Sequence, residues 1–165
     1  MTAAPTSGEV AIVKAHAGPH LMSAREVIKE YLALGSADRT GILPSPLQHE
    51  IDQLPGDYAP PRGALLVALV AGQCAGVVGS LGVGDRVCEM KRLYVRPQFR
   101  RHGIGRLLCE AVMDRARGAG YRRMRLDVVP TRSEAITLYR TLGFRDIEPF
   151  HAYSFPMMFL ERDVR

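Results

Sequence analysis

The order of apolar and polar positions divides the chain into short elements. Residues 10–15 alternate weakly and predict a strand. Over 21–34, Leu21, Ala24, Ile28, Tyr31 and Leu32 fall near one helical stripe, predicting a helix that stops at Gly35. The stretch 36–46, rich in Gly, Pro, Asp and Ser, predicts a loop, and 47–54 a second short helix closed by a Pro-rich connection at 55–63. Apolar runs at 64–70 and 75–81, with turn residues near 71–73, predict a hairpin. A further turn at 82–86 leads into an alternating strand over 87–95. The clearest helical period lies at 105–119, where Leu107, Leu108, Ala111, Val112, Arg115 and Ala116 repeat on one side, with Gly118 and Gly120 at its end. A strand at 124–129 follows, then a helix at 133–142 with Ser133 as N-cap and Gly143 just beyond it. Strands at 144–148 and 155–161 complete the chain. Strands first form a meander and then alternate with helices, which predicts an α/β fold: a mixed sheet with helices on its faces.

Composition narrows the class. The chain has 165 residues, enough for one domain with a real core, expected to span 1–165 with a flexible start over 1–8. A hydrophobic share of 47% with 24% charged residues excludes a disordered chain. The longest apolar run, 64–71, is eight residues, far short of the roughly 20 that span a bilayer. The N-terminus carries no basic stretch followed by an apolar segment, so no secretory signal is expected. These features predict a soluble, cytoplasmic protein without a membrane partner. Three cysteines without C-x-x-C spacing and five histidines without H-E-x-x-H spacing predict no disulfide framework and no metal site.

The net charge of +5 is unevenly spread. Residues 1–85 carry five Lys and Arg against eight Asp and Glu, residues 86–145 fifteen against five, and residues 146–165 two against four. The whole excess sits in the middle stretch, which points to an anionic partner: nucleic acid, a phosphorylated cofactor, or nothing beyond a soluble arginine-rich surface.

Inside that stretch, residues 89–110 read EMKRLYVRPQFRRHGIGRLLCE. A strand runs through Pro97 into a loop containing Arg100, Arg101 and His102, then Gly103, Ile104 and Gly105, and then the amphipathic helix. A glycine-containing loop at a helix N-terminus offers backbone N–H groups and the positive end of the helix dipole to phosphate oxygens. Arg100, Arg101 and Arg106 add fork donors suited to a pyrophosphate. Neither a Walker nor a Rossmann loop fits, because no Gly-Lys-Ser/Thr follows and Leu108 stands where a third glycine would fall.

Arg100-x-x-Gly103-x-Gly105, preceded by Val95-x-Pro97, resembles the acetyl-CoA-binding motif of the GNAT family of N-acetyltransferases. A second segment, Ala135-Ile136-x-Leu138-Tyr139-x-x-Leu142-Gly143-Phe144, is similar to the family's A-x-x-L-Y-x-x-x-G-F segment. The resemblance covers about 8–161 and is strongest over 87–146. It implies a mostly antiparallel central sheet, flanked by helices and splayed at the acetyl-CoA site. It further implies that backbone amides over 100–106 hold the pyrophosphate of acetyl-CoA, and that Leu93, Tyr94 and Val95 receive the pantetheine arm as a pseudo-strand, with an N–H there polarising the thioester carbonyl. The acceptor amine attacks directly, with no covalent enzyme intermediate. Tyr139 matches the tyrosine that family members use as acid toward the thiolate, and the phenol's ordinary pKa, about 10, keeps it protonated at neutral pH. Glu89 matches the position of the base in family members that use a glutamate; the bland alternative is a surface glutamate paired with Lys91 or Arg92.

Two positions depart from the family pattern. Arg132 replaces an asparagine often found in the family at the start of the helix at 133–142, where it contacts the cofactor, and Arg101 stands where glycine is frequent. His102 reads as solvent-facing, Cys109 as a small core residue, and Arg122–Arg125 as a solvated surface. The late segment containing His151 and Tyr153 borders the acceptor cleft in family members. The resemblance implies a small-molecule or peptide amine acceptor and leaves a homodimer open. Two alternatives stand beside the enzyme: an acyl-CoA-binding module without turnover, and a nucleic-acid-binding domain, which the lack of aromatics among the arginines and the acidic flanks disfavour.

Overall fold

The computed structural model describes residues 8–35 and 42–165. Its strands are β1 (Val10–Lys14), β2 (Ala64–Val70), β3 (Gln73–Gly84), β4 (Val87–Val95), β5 (Arg123–Val128), β6 (Arg145–Asp146) and β7 (Met158–Asp163). The helices are α1 (Gly18–Leu34), α2 (Ser45–Gln53), α3 (Ile104–Gly118) and α4 (Ser133–Thr141). One seven-stranded sheet runs in the order β1-β2-β3-β4-β5-β7-β6. Neighbours pair antiparallel except β4 and β5, which are parallel. This is the mixed α/β sheet expected from the pattern, mostly antiparallel as the resemblance implied. The flexible start expected over 1–8 and the loop expected over 36–46 fall mostly outside the described residues.

Several boundaries differ from expectation, each for a local reason. Helix α1 starts three residues early because Pro19 sits in its first turn, where a missing N–H costs nothing; Pro46 does the same in α2. Strand β3 extends past the expected turn to Gly84, leaving Asp85 and Arg86, both at positive φ (29° and 61°), as a two-residue hairpin turn. Ser133 is the first helical residue of α4 and Arg132 its N-cap, so the expected serine cap is not formed. The last two strands were expected at 144–148 and 155–161. Strand β6 is only two residues, and β7 begins after Pro156, whose missing N–H cannot join a ladder.

The apolar run of β2 alternates between two cores. Leu66 and Ala68 face α3 and α4, packing with Met90, Leu108, Val112 and Met124. Leu65 and Val67 face α1 and α2, packing with Val27, Ile28 and Ile51. A strand covered on both faces has no polar positions to alternate with, which is why 64–70 is continuously apolar. Each fully buried side chain of this kind stabilises by about 1.5–3 kcal/mol, so both layers are held firmly against the sheet that carries the cleft.

Candidate active site

Strands β4 and β5 pair only from Val87 to Glu89 against Arg123 to Arg125, and then part. The gap opens into a cavity of about 580 Å³ lined by Leu93, Tyr94 and Val95, by the loop ahead of α3, and by the first two turns of α4. Nine of the ten expected cofactor-binding residues line it; the exception is His102, which is exposed.

The loop wall owes its shape to two left-handed residues. Gly103, the N-cap of α3, has φ 73°, a conformation natural to glycine. Arg101 adopts φ 67°, which explains why glycine is frequent at the matching family position. No side chain caps α3, so no side chain competes for the N–H groups of its first turn. The Arg100 Nε donates to the Val95 carbonyl at 2.9 Å, pinning the loop to the end of β4. Arg106 pairs with Glu110 one turn along, whereas Arg101 forms no ion pair among the described residues.

The strand wall is irregular at Arg92. The register slips between Gly79 opposite Lys91 and Val77 opposite Tyr94, and Arg92 has φ 63°. This bulge reverses the alternation: Met90 faces the α3 core, and so does Leu93 three residues later. Arg92 turns toward α2 and donates from two nitrogens to Glu50 at 2.7 and 2.9 Å. The Tyr94 ring stacks on Tyr31 of α1 at 5.2 Å, and its hydroxyl donates to Glu30 at 3.1 Å. Arg132, the expected gap in the cofactor contacts, lines the cavity and donates to the Tyr31 hydroxyl at 2.8 Å, tying α4 to α1.

Tyr139 and Glu89 lie beneath the lining. Tyr139 is 4% exposed in the α3 core, beside Phe144 at 5.8 Å, and accepts or donates no hydrogen bond among the described residues. Burial pushes its phenol well above the ordinary range, opposed by the nearby Arg132 cation, so it holds its proton at neutral pH. Glu89 is 3% exposed on the opposite face of the sheet. It is not the surface glutamate of the bland alternative: its Oε2 meets Arg125 at 3.5 Å, while Arg92 is engaged by Glu50. Its Oε1 is buried without a hydrogen-bond partner among the described residues.

The segment ahead of β7 covers this face. Phe150 lies 3.9 Å from the Arg125 guanidinium, and the Tyr153 hydroxyl donates to Asp127 at 2.6 Å. The cluster expected to be surface, Arg122–Arg125, therefore divides, with Arg125 turned inward and 22% exposed. Cys109 is a core residue as expected, and burial raises its thiol to about 12. Sequence reasoning missed Tyr31, Glu50, Arg92, Arg125 and Asp127, because each matters through a partner distant along the chain. No helix among the described residues is long and apolar enough to cross a membrane, and none of their His, Cys, Asp and Glu side chains form a metal-sized cluster.

Comparison with known proteins agrees with this architecture. A family model described as Acetyltransferase (GNAT) family matches residues 30–144. An uncharacterised N-acetyltransferase of Schizosaccharomyces pombe is 34% identical over 137 residues, 79% of this chain and 79% of its own. A GNAT-family acetyltransferase structure from Staphylococcus aureus shares the fold with a TM-score of 0.78 at 17% identity, over 95% of this chain and 100% of its own. An N-acetyltransferase from Thermoplasma acidophilum, solved in complex with coenzyme A, gives 0.72 at 16% identity, over 94% of this chain and 99% of its own. The match extends from α1 through the parted strands to the end of α4, and the chain belongs to the GNAT family of acetyltransferases.

Proposed function

We propose that this protein moves an acetyl group from acetyl-CoA to a primary amine by direct attack in a ternary complex. The cavity between β4 and β5 carries this reading, because it joins a parted strand edge to a helix N-terminus without a side-chain cap and four arginines. That donor set suits a pyrophosphate at one end and an extended amide-bearing arm along the other. The Thermoplasma acidophilum neighbour, bound to coenzyme A, supports the same ligand class.

Acetyl-CoA supplies an activated thioester whose carbonyl carbon an amine can attack. The amides of Ile104, Gly105 and Arg106 hold the pyrophosphate, and Arg100, Arg101 and Arg106 compensate its charge. Leu93, Tyr94 and Val95 align the pantetheine arm, and an N–H on this strand polarises the thioester carbonyl. The acceptor approaches over the face that carries Glu89, whose free Oε1 takes the proton from the ammonium. Tyr139 donates its phenolic proton to the departing thiolate, a task for which a buried, firmly protonated phenol is suited.

One observation favours a second reading. Tyr139 does not line the cavity, as would suit a module that binds acyl-CoA without turnover. The two separate on Tyr139→Phe. As an acid, Tyr139 contributes about 10²-fold to kcat, so the substitution lowers turnover by that order while the acetyl-CoA Kd stays unchanged. Unchanged turnover removes Tyr139 from the chemistry. Glu89→Gln is expected to lose activity that high pH restores, because the amine then deprotonates unaided; a pH profile identical to wild type removes the base.

A further inference from the structure

Arg125 has the geometry of a working partner to Glu89 more than that of a structural ion pair. A structural Arg–carboxylate pair in a buried site is bidentate, with two short parallel bonds offsetting desolvation. Here one guanidinium nitrogen meets Oε2 at 3.5 Å, and both the Arg125 Nε and the Glu89 Oε1 are buried without hydrogen-bond partners. Leaving such groups unsatisfied is costly, and the fold nonetheless holds them in place from both sides. From β5, the register sets Arg125 directly opposite Glu89 on the same face. From above, Phe150 covers the guanidinium at 3.9 Å and is itself buttressed edge-on by Phe159 at 4.9 Å.

The other charged and titratable groups facing Glu89 are engaged elsewhere or stand further along. On its own strand Arg92 is bound by Glu50, and Lys91 stands two residues away. On β5, Arg123 is drawn to Glu161 of β7 at 3.5 Å, and Asp127 accepts from Tyr153. Strand β3 presents only Leu81 opposite Glu89. Arg125 is therefore the one cation within ion-pair distance of Glu89 among the described residues.

We propose that Arg125, held under Phe150, is a positioning residue that orients Glu89, holding Oε2 and leaving Oε1 unpartnered for the proton of the acceptor amine. This rests on the reading of Glu89 as the base.

The test sets kcat against the acetyl-CoA KM for acetyl transfer by the full chain. Arg125→Gln is expected to lower kcat about 10-fold or more with the acetyl-CoA KM unchanged, and Arg125→Lys to restore most of the loss. Phe150→Leu, a conservative change to a half-buried ring, is expected to lower kcat in the same way and by less. Arg123→Gln, on the same strand and face but paired with Glu161, is expected to leave kcat in place. A wild-type kcat in Arg125→Gln, or a loss that Arg125→Lys does not restore, overturns the proposal. Glu89→Gln separates the two layers. If that variant turns over like wild type, Glu89 is not the base and both readings fall. If turnover is lost there but kept in the Arg125 and Phe150 variants, only the role of Arg125 falls.

Discussion

At residue scale, a position that departs from the family pattern is also under backbone strain. Arg101 holds φ 67°, a region that costs a non-glycine residue about 1–2 kcal/mol. Glycine removes that strain but gives up about 0.5–1 kcal/mol through its freer unfolded chain. Arg101→Gly is therefore expected to raise stability in a urea melt by up to about 1 kcal/mol while weakening acetyl-CoA binding, since Arg101, unlike Arg106, has no ion pair among the described residues. A loss of stability would contradict the strain, and unchanged affinity would contradict the charge. The cavity-lining part of the loop was legible because it occupies consecutive positions: six of the seven residues at 100–106 line the cavity. Residues that act through a distant partner were not. Arg92 reaches Glu50 across 42 positions, Arg125 reaches Glu89 across 36, and Arg132 reaches Tyr31 across 101. No local spacing encodes those pairs. Glu89 was legible as a candidate but not in its setting, because a buried glutamate and a surface one look alike in a strand of mixed polarity.

At the scale of elements, the cleft depends on how α1 and α4 are held about the parted strands. Arg132 joins them through the Tyr31 hydroxyl at 2.8 Å, and the Tyr31 ring stacks on Tyr94 of β4. Tyr31→Phe keeps the stack and removes the hydrogen bond. A single bond of this kind is worth about 1 kcal/mol, so a loss of that size is expected in equilibrium unfolding, together with a higher acetyl-CoA Kd. Full stability with unchanged affinity would show that the tie does not shape the cavity. Helices with a strong apolar period were legible: α3 lies within one residue of expectation. The last strands were displaced because aromatic residues over 150–155 pack across the sheet instead of extending it, and Pro156 delays the ladder. The bulge at Arg92 left no signature, since it puts a left-handed turn into residues that otherwise alternate well.

At the scale of the whole molecule, several buried thiols and phenols among the described residues resist ionisation. Burial raises the thiols of Cys88 and Cys109 to about 12 and pushes the phenols of Tyr58 and Tyr139 above their ordinary range. Each keeps its proton in the folded state at a pH where the unfolded chain has lost it. Their contribution is therefore complete below the ordinary thiol value of 9.0 and is lost as pH rises toward 12. The urea midpoint is expected to be level near neutrality and to fall steadily above about pH 9; a flat profile to about pH 11 would contradict it. The charge distribution also changes meaning at this scale. The basic stretch 86–145 contains the loop proposed to bind phosphate, but Arg92 and Arg123 within it are committed to carboxylates, so the excess is partly internal. What the cleft does is tested most directly by one assay: free thiol released from acetyl-CoA by the full chain across a panel of primary amines. The account requires thiol release that depends on an added amine, with the acetyl group recovered on that amine. Saturable acetyl-CoA binding with no amine-dependent thiol release across the panel would contradict it and leave a binding module.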